Sequence, residues 1–192
     1  MGSDKRALAV DGEPLLRRVL DSVSTVADEV LVVESDHSPV PAALLTGFAV
    51  RLVRARWPDA GPLAGLEAGL RACDAPLAIV VGADAPYLQP ALLRLLAHEL
   101  AAAPEADAVA GASGRGAEPL LAAYRPRVAV AATSMLAAGE RRLGTLFERI
   151  RTVVLEPPAW WGADPDGLSL RNANSVADLP GLTRSANNEP RA

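Results

Sequence analysis

Asp84 follows an uninterrupted apolar run, Ala75–Val81, and stands two residues before Pro86. A carboxylate there would sit at the carboxyl end of a buried strand, where open α/β sheets bind their ligands. One such carboxylate can hold a divalent cation whose remaining shell is water and substrate phosphate, the arrangement Mg2+ prefers. The same residue could equally be an N-cap or turn Asp ahead of Pro86, and position alone does not separate these readings. Gly61-Pro62-Leu63-Ala64-Gly65 combines a flexible glycine, a proline suited to a first helical turn and a second glycine that allows close backbone approach. Helix N-termini of this kind bind phosphate or offer N–H donors to a ring carbonyl, and they also occur as plain loop-to-helix junctions.

Four further groups carry weaker chemistry. Lys5, with Gly2 nearby, could neutralise phosphate oxygens or be an exposed lysine near a terminus. Arg141 and Arg142 follow Gly139 and could clamp a phosphate, although most such pairs are solvated. Asn172 and Asn174 place amides on one side of an extended segment, or form a turn. Trp160 and Trp161 read as loop anchors on the core rather than a stacking platform. Cys73 is alone, so no intrachain disulfide forms, and it reads as an inert buried thiol. His37 and His98 lie far apart with no Cys or His beside them, which leaves a zinc site without ligands.

These residues need a scaffold, and the periodicities supply one. Leu15, Leu16, Val19, Leu20, Val23 and Val26 recur at helical spacing after Pro14. Strands are expected at Glu29–Val33, Ala49–Val53 and Ala75–Val81, the last in the pattern of a strand covered on both faces. Helices are expected from Gly61 to about Ala72, from Gln89 to Ala103 and from Pro126 to Ala138, with a helical stretch near Thr145–Ile150. Asp107–Ala110, Leu120–Tyr124 and Arg151–Leu155 read as further strands, Pro157–Trp161 as a loop and Ser175–Leu179 as a last helical turn. The order is that of a three-layer α/β/α, Rossmann-like fold with a mostly parallel central sheet. Such sheets normally begin with a strand that becomes central, and this chain begins with a helix, so a first strand is missing.

At 192 residues the chain suits one domain. Residues 1–180 form that domain and 181–192 a polar tail expected to be disordered. Half of the residues are hydrophobic, which excludes global disorder. A net charge of −4 with both signs interspersed gives no electrostatic case for nucleic acid. No apolar run approaches the ~20 residues of a membrane span, and the first residues lack a signal-peptide core, so a soluble cytoplasmic protein is expected.

Taken in order, these segments resemble the molybdenum cofactor guanylyltransferase family, over about Met1 to Pro180. Met1-Gly2-Ser3-Asp4-Lys5 with Gly12-Glu13-Pro14-Leu15 matches R-M-G-x-D-K…G-x-P-L, and Gly61–Gly65 is the family's G-P-L-A-G. Asp84-Ala85-Pro86-Tyr87 stands for D-x-P-[YF], Glu118-Pro119-Leu120 for [HQ]-P-[LT], Ala138–Arg142 for a G-x-R-R-like stretch and Asn172–Ser175 for N-x-N-T. The resemblance implies transfer of GMP from GTP to molybdopterin with Mg2+ as cofactor. It implies Lys5 and Asp84 as catalytic residues, Asp84 as the metal ligand, and Gly2, Lys5, Gly61, Pro62, Leu63, Gly65 and Asp84 as the nucleotide site. Arg141, Arg142, Asn172 and Asn174 would face the pterin phosphate, with cofactor-delivery or acceptor molybdoenzymes as candidate protein partners.

The sequence departs from that pattern in three places. The family's first strand and L-x-G-G-x-S-x-R loop have no counterpart here, so Met1 is expected to be an internal Met of the motif, with the strand encoded upstream. Ala55 stands where an Asp is common, with Asp59 as a possible substitute, and Glu118 replaces a His or Gln. Two other readings stay open: a CTP-using relative with a pterin or sugar-phosphate acceptor, and a non-catalytic remnant that serves as a binding protein.

Overall fold

The structure, a computed structural model, describes residues 9–10, 12–37, 39–113 and 116–170. A short antiparallel hairpin, β1 (Ala9–Val10) and β2 (Glu13–Pro14), leads into α1 (Leu15–Ser24). Pro14 starts this helix from an extended conformation, φ −58° and ψ 139°, and Leu15, Leu16, Val19 and Leu20 form its buried stripe. β3 (Val30–Glu34) and β4 (Val50–Arg54) pair in parallel, Val30 opposite Val50, with the short α2 (Ala42–Leu45) between them. α3 (Gly61–Ala72) then returns the chain to β5 (Ala78–Val81), and α4 (Pro90–Ala102) follows.

The second half builds a mixed sheet. β6 (Ala108–Ser113), β7 (Gly116–Tyr124) and β8 (Thr152–Leu155) join β5 in the order β5-β7-β6-β8. β7 runs antiparallel to both neighbours, while β6 and β8 are parallel. α5 (Val128–Ala137) and a 3-10 segment, Leu143–Glu148, lie between β7 and β8. Pro157–Trp160, expected as a loop, forms the helical turn α6, because its prolines occupy first-turn positions where no N–H is needed. The expected helical turn Ser175–Leu179 and the polar tail fall outside the described residues.

Alternation along the strands divides the core into two layers. Ala108, Ala110, Ala122 and Tyr124 face α3 and α5, where Leu63, Leu66, Leu70, Met135 and Leu136 cover them. Val109, Leu121 and Ala123 face Val19 of α1, Trp160 of α6 and Leu92, Leu93, Leu96 and Leu100 of α4. The chain thus forms the expected three-layer α/β arrangement. No helix among the described residues is long and apolar enough to cross a membrane.

Strand direction follows from contacts at the sheet's lower edge. Arg51, at the start of β4, donates to Glu29 just ahead of β3 at 2.7 Å and to the Ala72 carbonyl at the end of α3 at 2.6 Å. The amino ends of β3 and β4 and the entry to β5 therefore lie together, and these strands run the same way. β3 and β5 are nevertheless not bonded to each other: β3 pairs with β4 and β5 with β7. Between them lies a slot of about 480 Å³. Leu16, Val19 and Leu20 of α1 and Leu93 of α4 line it together with Leu66 and Gly69 of α3.

Candidate functional site

Asp84 leaves the carboxyl end of β5 through a tight turn. The Gly82 N–H donates to the Leu120 carbonyl at 3.1 Å, beyond the last paired residues of β5 and β7. A Cβ on Gly82 would fall 2.7 Å from Asp84 Oδ1, so the carboxylate folds back over residue 82 and would have to shift to make room for any side chain there. Asp84 is half-buried, and its side chain makes no hydrogen bond or ion pair with any described residue. The N-cap of α4 is Gln89, which removes the helix-capping alternative for Asp84. Ala85 and Leu88, exposed by only 2% and 3%, anchor the following loop in the core.

The loop after Asp84 is clamped from the far end of the chain. The Gln89 N–H donates to the Ser169 hydroxyl at 2.9 Å. Ser169 belongs to the 3-10 turn Leu168–Leu170, whose Leu168 and Ser169 N–H groups donate to the buried Asp164 carboxylate at 3.0 and 2.8 Å. That turn leads directly toward Asn172 and Asn174, which lie outside the described residues, as do Gly2 and Lys5. Asp164 and Ser169 gave no sequence signal, because a single Asp and Ser in a polar loop match no pattern.

α3 presents its N-terminus at the same edge. Gly61 adopts φ +66°, Pro62 occupies the first turn, and no side chain caps the helix. Its first N–H groups are therefore left for a ligand or solvent. Gly61 and Pro62 are exposed, and nothing lies within 4 Å of a Cβ position on Gly65. Leu63 is different: its side chain is fully buried among core residues, so it offers a ligand only backbone. Pro62 and Ala83 both line the slot between β3 and β5, so its mouth lies between α3's N-terminus and the Asp84 turn.

The loop before α3 is held by a residue the sequence did not single out. Glu67 is fully buried, and its Oε1 accepts from Arg56 at 2.6 Å and from the Thr133 hydroxyl at 2.8 Å. Arg71 adds a contact at 3.6 Å. From sequence, Glu67 is an ordinary surface carboxylate with an i,i+4 arginine; burial comes from α5 packing over it. Ala55 continues the ladder by donating to the Glu34 carbonyl at 2.8 Å. Asp59 adopts φ +51° and stands exposed, 3.9 Å from His37 Nε2.

The Thr133–Glu67 bond joins the middles of two antiparallel helices, which brings the end of α5 level with the start of α3. Gly139–Arg142 follow there, but the two arginines differ. Arg141 donates to the Leu136 and Glu140 carbonyls at 2.9 and 3.0 Å and so closes the end of α5. Arg142 is 83% exposed, with only a loose 3.7 Å pairing to Glu140. Hydrogen bonds from the Arg142 and Arg141 N–H groups hold the Glu140 carboxyl below the usual range. Glu118 accepts from the Ser113 hydroxyl at 2.8 Å and lines a small crevice with Ser169. Trp160 is the core anchor expected of it, whereas Trp161 is 55% exposed. Cys73 is half-buried. No group of three His, Cys, Asp or Glu able to hold a metal occurs among the described residues.

Residues 1–153 match the MobA-like NTP transferase domain. The chain is 36% identical over 185 residues to a probable molybdenum cofactor guanylyltransferase of Chloroflexus aggregans, covering 93% of this chain and 85% of that protein. It is 35% identical over 188 residues to the molybdenum cofactor guanylyltransferase of Burkholderia orbicola, covering 95% and 88%. Among solved structures, molybdopterin-guanine dinucleotide biosynthesis protein A of Archaeoglobus fulgidus superposes with a TM-score of 0.78 at 23% identity, covering 92% of this chain and 87% of that one. The Thermus thermophilus 2-C-methyl-D-erythritol 4-phosphate cytidylyltransferase shares the fold at a TM-score of 0.65 and 17% identity, covering 92% and 90%. The chain belongs to the MobA-like NTP transferase family and is a nucleotidyltransferase.

Proposed function

We propose that this protein transfers GMP from GTP to the terminal phosphate of molybdopterin. A phosphate oxygen of the acceptor attacks the α-phosphorus, the bond from that phosphorus to the β-phosphate bridge breaks, and pyrophosphate leaves with the electron pair. The acceptor oxygen is already anionic, so the reaction asks for positioning and charge neutralisation rather than a protein nucleophile. The observation that carries this reading is the half-buried, unpaired Asp84 carboxylate, whose neighbour Ala83 lines the same slot as Pro62 at the uncapped N-terminus of α3. The guanylyltransferase names of relatives at 35% and 36% identity support the choice of GTP and molybdopterin.

Asp84 fits Mg2+ by its chemistry. A single carboxylate with free lone pairs, and no dedicated cluster around it, suits a cation that takes its other ligands from water and phosphate. When bound, Mg2+ would neutralise phosphate charge and stabilise the departing pyrophosphate. Gly82 keeps room for the Asp84 carboxylate. Gly61, Pro62, Gly65 and the Leu63 backbone line the nucleotide side, and Arg142 is the better placed of the two arginines for the acceptor phosphate. Gly2 and Lys5 on the triphosphate, and Asn172 and Asn174 on the acceptor, are assigned by resemblance alone.

The test is turnover of labelled GTP with molybdopterin, with CTP as competitor. Guanine dinucleotide formation that CTP does not suppress supports the proposal. CMP transfer would place the protein with the cytidylyltransferases, and no nucleotide binding by calorimetry would make it a non-catalytic binding protein. Asp84→Ala is expected to lower turnover by about 10³-fold, the scale of losing one key electrostatic group, with an unchanged melting temperature. Retained turnover at saturating Mg2+ overturns the role of Asp84.

A further inference from the structure

We infer that the buried Glu67 carboxylate is a positioning residue for the nucleotide: through Arg56 it fixes the loop that enters α3, so that the helix N-terminus meets its ligand already in shape. This role rests on nucleotide binding at that N-terminus, as proposed above. Glu67 itself has no exposed surface and cannot touch a ligand. Whatever it contributes to binding acts through the groups it holds.

Those groups are gathered on one oxygen. Arg56 Nη2 donates to Glu67 Oε1 at 2.6 Å and to the Thr133 hydroxyl at 3.3 Å, and Thr133 donates to the same Oε1 at 2.8 Å. The second oxygen, Oε2, is also buried and has no hydrogen bond among the described residues. An unmade bond on a buried acceptor costs about 1–3 kcal/mol, and a well-packed apolar side chain in place of a buried ion is often neutral or stabilising. The carboxylate is thus a poor way to strengthen the contact between α3 and α5. What it does supply is a single fixed geometry for Arg56.

The loop needs that restraint. Residues 55–60 run from the end of the β3–β4 ladder, where the Ala55 N–H donates to the Glu34 carbonyl at 2.8 Å, to Ala60, which is buried at the N-cap of α3. The backbone turns left-handed at Asp59, φ +51°, and again at Gly61, φ +66°. Such conformations persist where the surrounding structure holds them. Asp59 is exposed and makes only a loose 3.9 Å approach to His37, so the restraint comes from Arg56. Its guanidinium lies 5.6 Å from the centroid of the Trp57 ring while reaching Glu67, which fastens two successive loop residues to the buried side of α3. A loop held in its bound shape loses less freedom on binding, which favours affinity without altering the chemical step.

The test replaces Glu67 in the 192-residue chain and measures melting temperature, GTP affinity by calorimetry and steady-state turnover. Glu67→Met removes the acceptor and keeps the volume, and the half-exposed Arg56 turns to solvent. The melting temperature should stay level or rise. GTP affinity should weaken by about 10-fold and KM rise with it, while kcat at saturating GTP stays within about twofold. Amide exchange across residues 55–60 should quicken by roughly 10-fold in the absence of nucleotide. Glu67→Gln keeps an acceptor for Arg56 and Thr133 and should hold affinity within about threefold of the parent. A Glu67→Met chain that binds GTP as tightly as the parent overturns the proposal. So does one that no longer folds, because the carboxylate would then serve the core. A parent that binds neither GTP nor CTP fails the functional reading and takes this role with it, whereas equal binding by parent and variant fails the positioning role alone.

Discussion

At the scale of single residues, the site depends on a glycine as much as on the carboxylate it serves. Asp84 is readable in the sequence because the apolar run Ala75–Val81 marks a strand and an acid three residues past its end is conspicuous. The part Gly82 plays is not readable, since it arises from a turn that folds Asp84 back to within 2.7 Å of where a Cβ would stand. Gly82→Ala therefore acts through Asp84. The backbone at residue 82 does not require positive φ, and an alanine there costs no helix or strand pairing. Stability should change by less than about 1 kcal/mol, while the displaced carboxylate weakens the cation site. Activity of Gly82→Ala is expected to fall at ordinary Mg2+ and to recover partly as Mg2+ is raised, in contrast to Asp84→Ala. A Mg2+ titration of initial rates in the two variants checks this, and identical titration curves would refute it. The two arginines make a similar point: Arg141 and Arg142 are equivalent in sequence, yet only the structure shows one spent on closing α5 and the other exposed.

At the scale of elements, the periodic signals located α1, α3 and α4 well, because each has an apolar stripe that burial then used. The run Ala75–Val81, expected to be covered on both faces, instead gives a strand only over Ala78–Val81, half-buried throughout because the slot borders it. The direction of β7 was not legible. Leu120–Tyr124 is apolar on both faces whichever way it runs, and the reversal is fixed by the short connection from β6 and by pairing with β5. What holds these elements in register is concentrated at the sheet's amino edge, opposite the site. The Asp107 carboxylate accepts from Arg127 Nε at 2.8 Å and from the Arg151 N–H at 2.9 Å, tying β6 to the starts of α5 and β8. Burial pushes the pKa of Asp107 up, but the Arg151 backbone bond and the Arg127 guanidinium outweigh it and leave the group below its ordinary value. A folded-state pKa below the unfolded one gives stability that is present above about pH 4 and lost as pH falls through the lower folded value. Asp107→Asn should thus cost about 1 kcal/mol near neutral pH, because the arginines are partly solvated. It should also flatten the acid limb of the stability curve. Urea unfolding from pH 7 down to about pH 3 tests this, and a variant whose loss persists unchanged at the acid end would contradict it.

At the scale of the whole molecule, the slot between β3 and β5 interrupts the packing of the core layers. The slot of about 480 Å³ is open to solvent, and water in it leaves leucines of α1, α3 and α4 wetted. The chain therefore gains less from apolar burial there than its well-packed layers suggest. The slot's size and apolar lining were not legible in the sequence, because α1 and α3 meet there only in three dimensions. Ala97 of α4 borders the slot and gives a substitution that probes it. With the slot open, Ala97→Leu adds methyl groups against Leu93 and the wall of α1, and should stabilise by about 1–2 kcal/mol at ~0.8 kcal/mol per buried CH₂, less the rotamer entropy. Urea unfolding of Ala97→Leu beside the parent chain measures this. A loss of stability would refute it, because it would mean that the added side chain overpacks a filled site instead of entering open space.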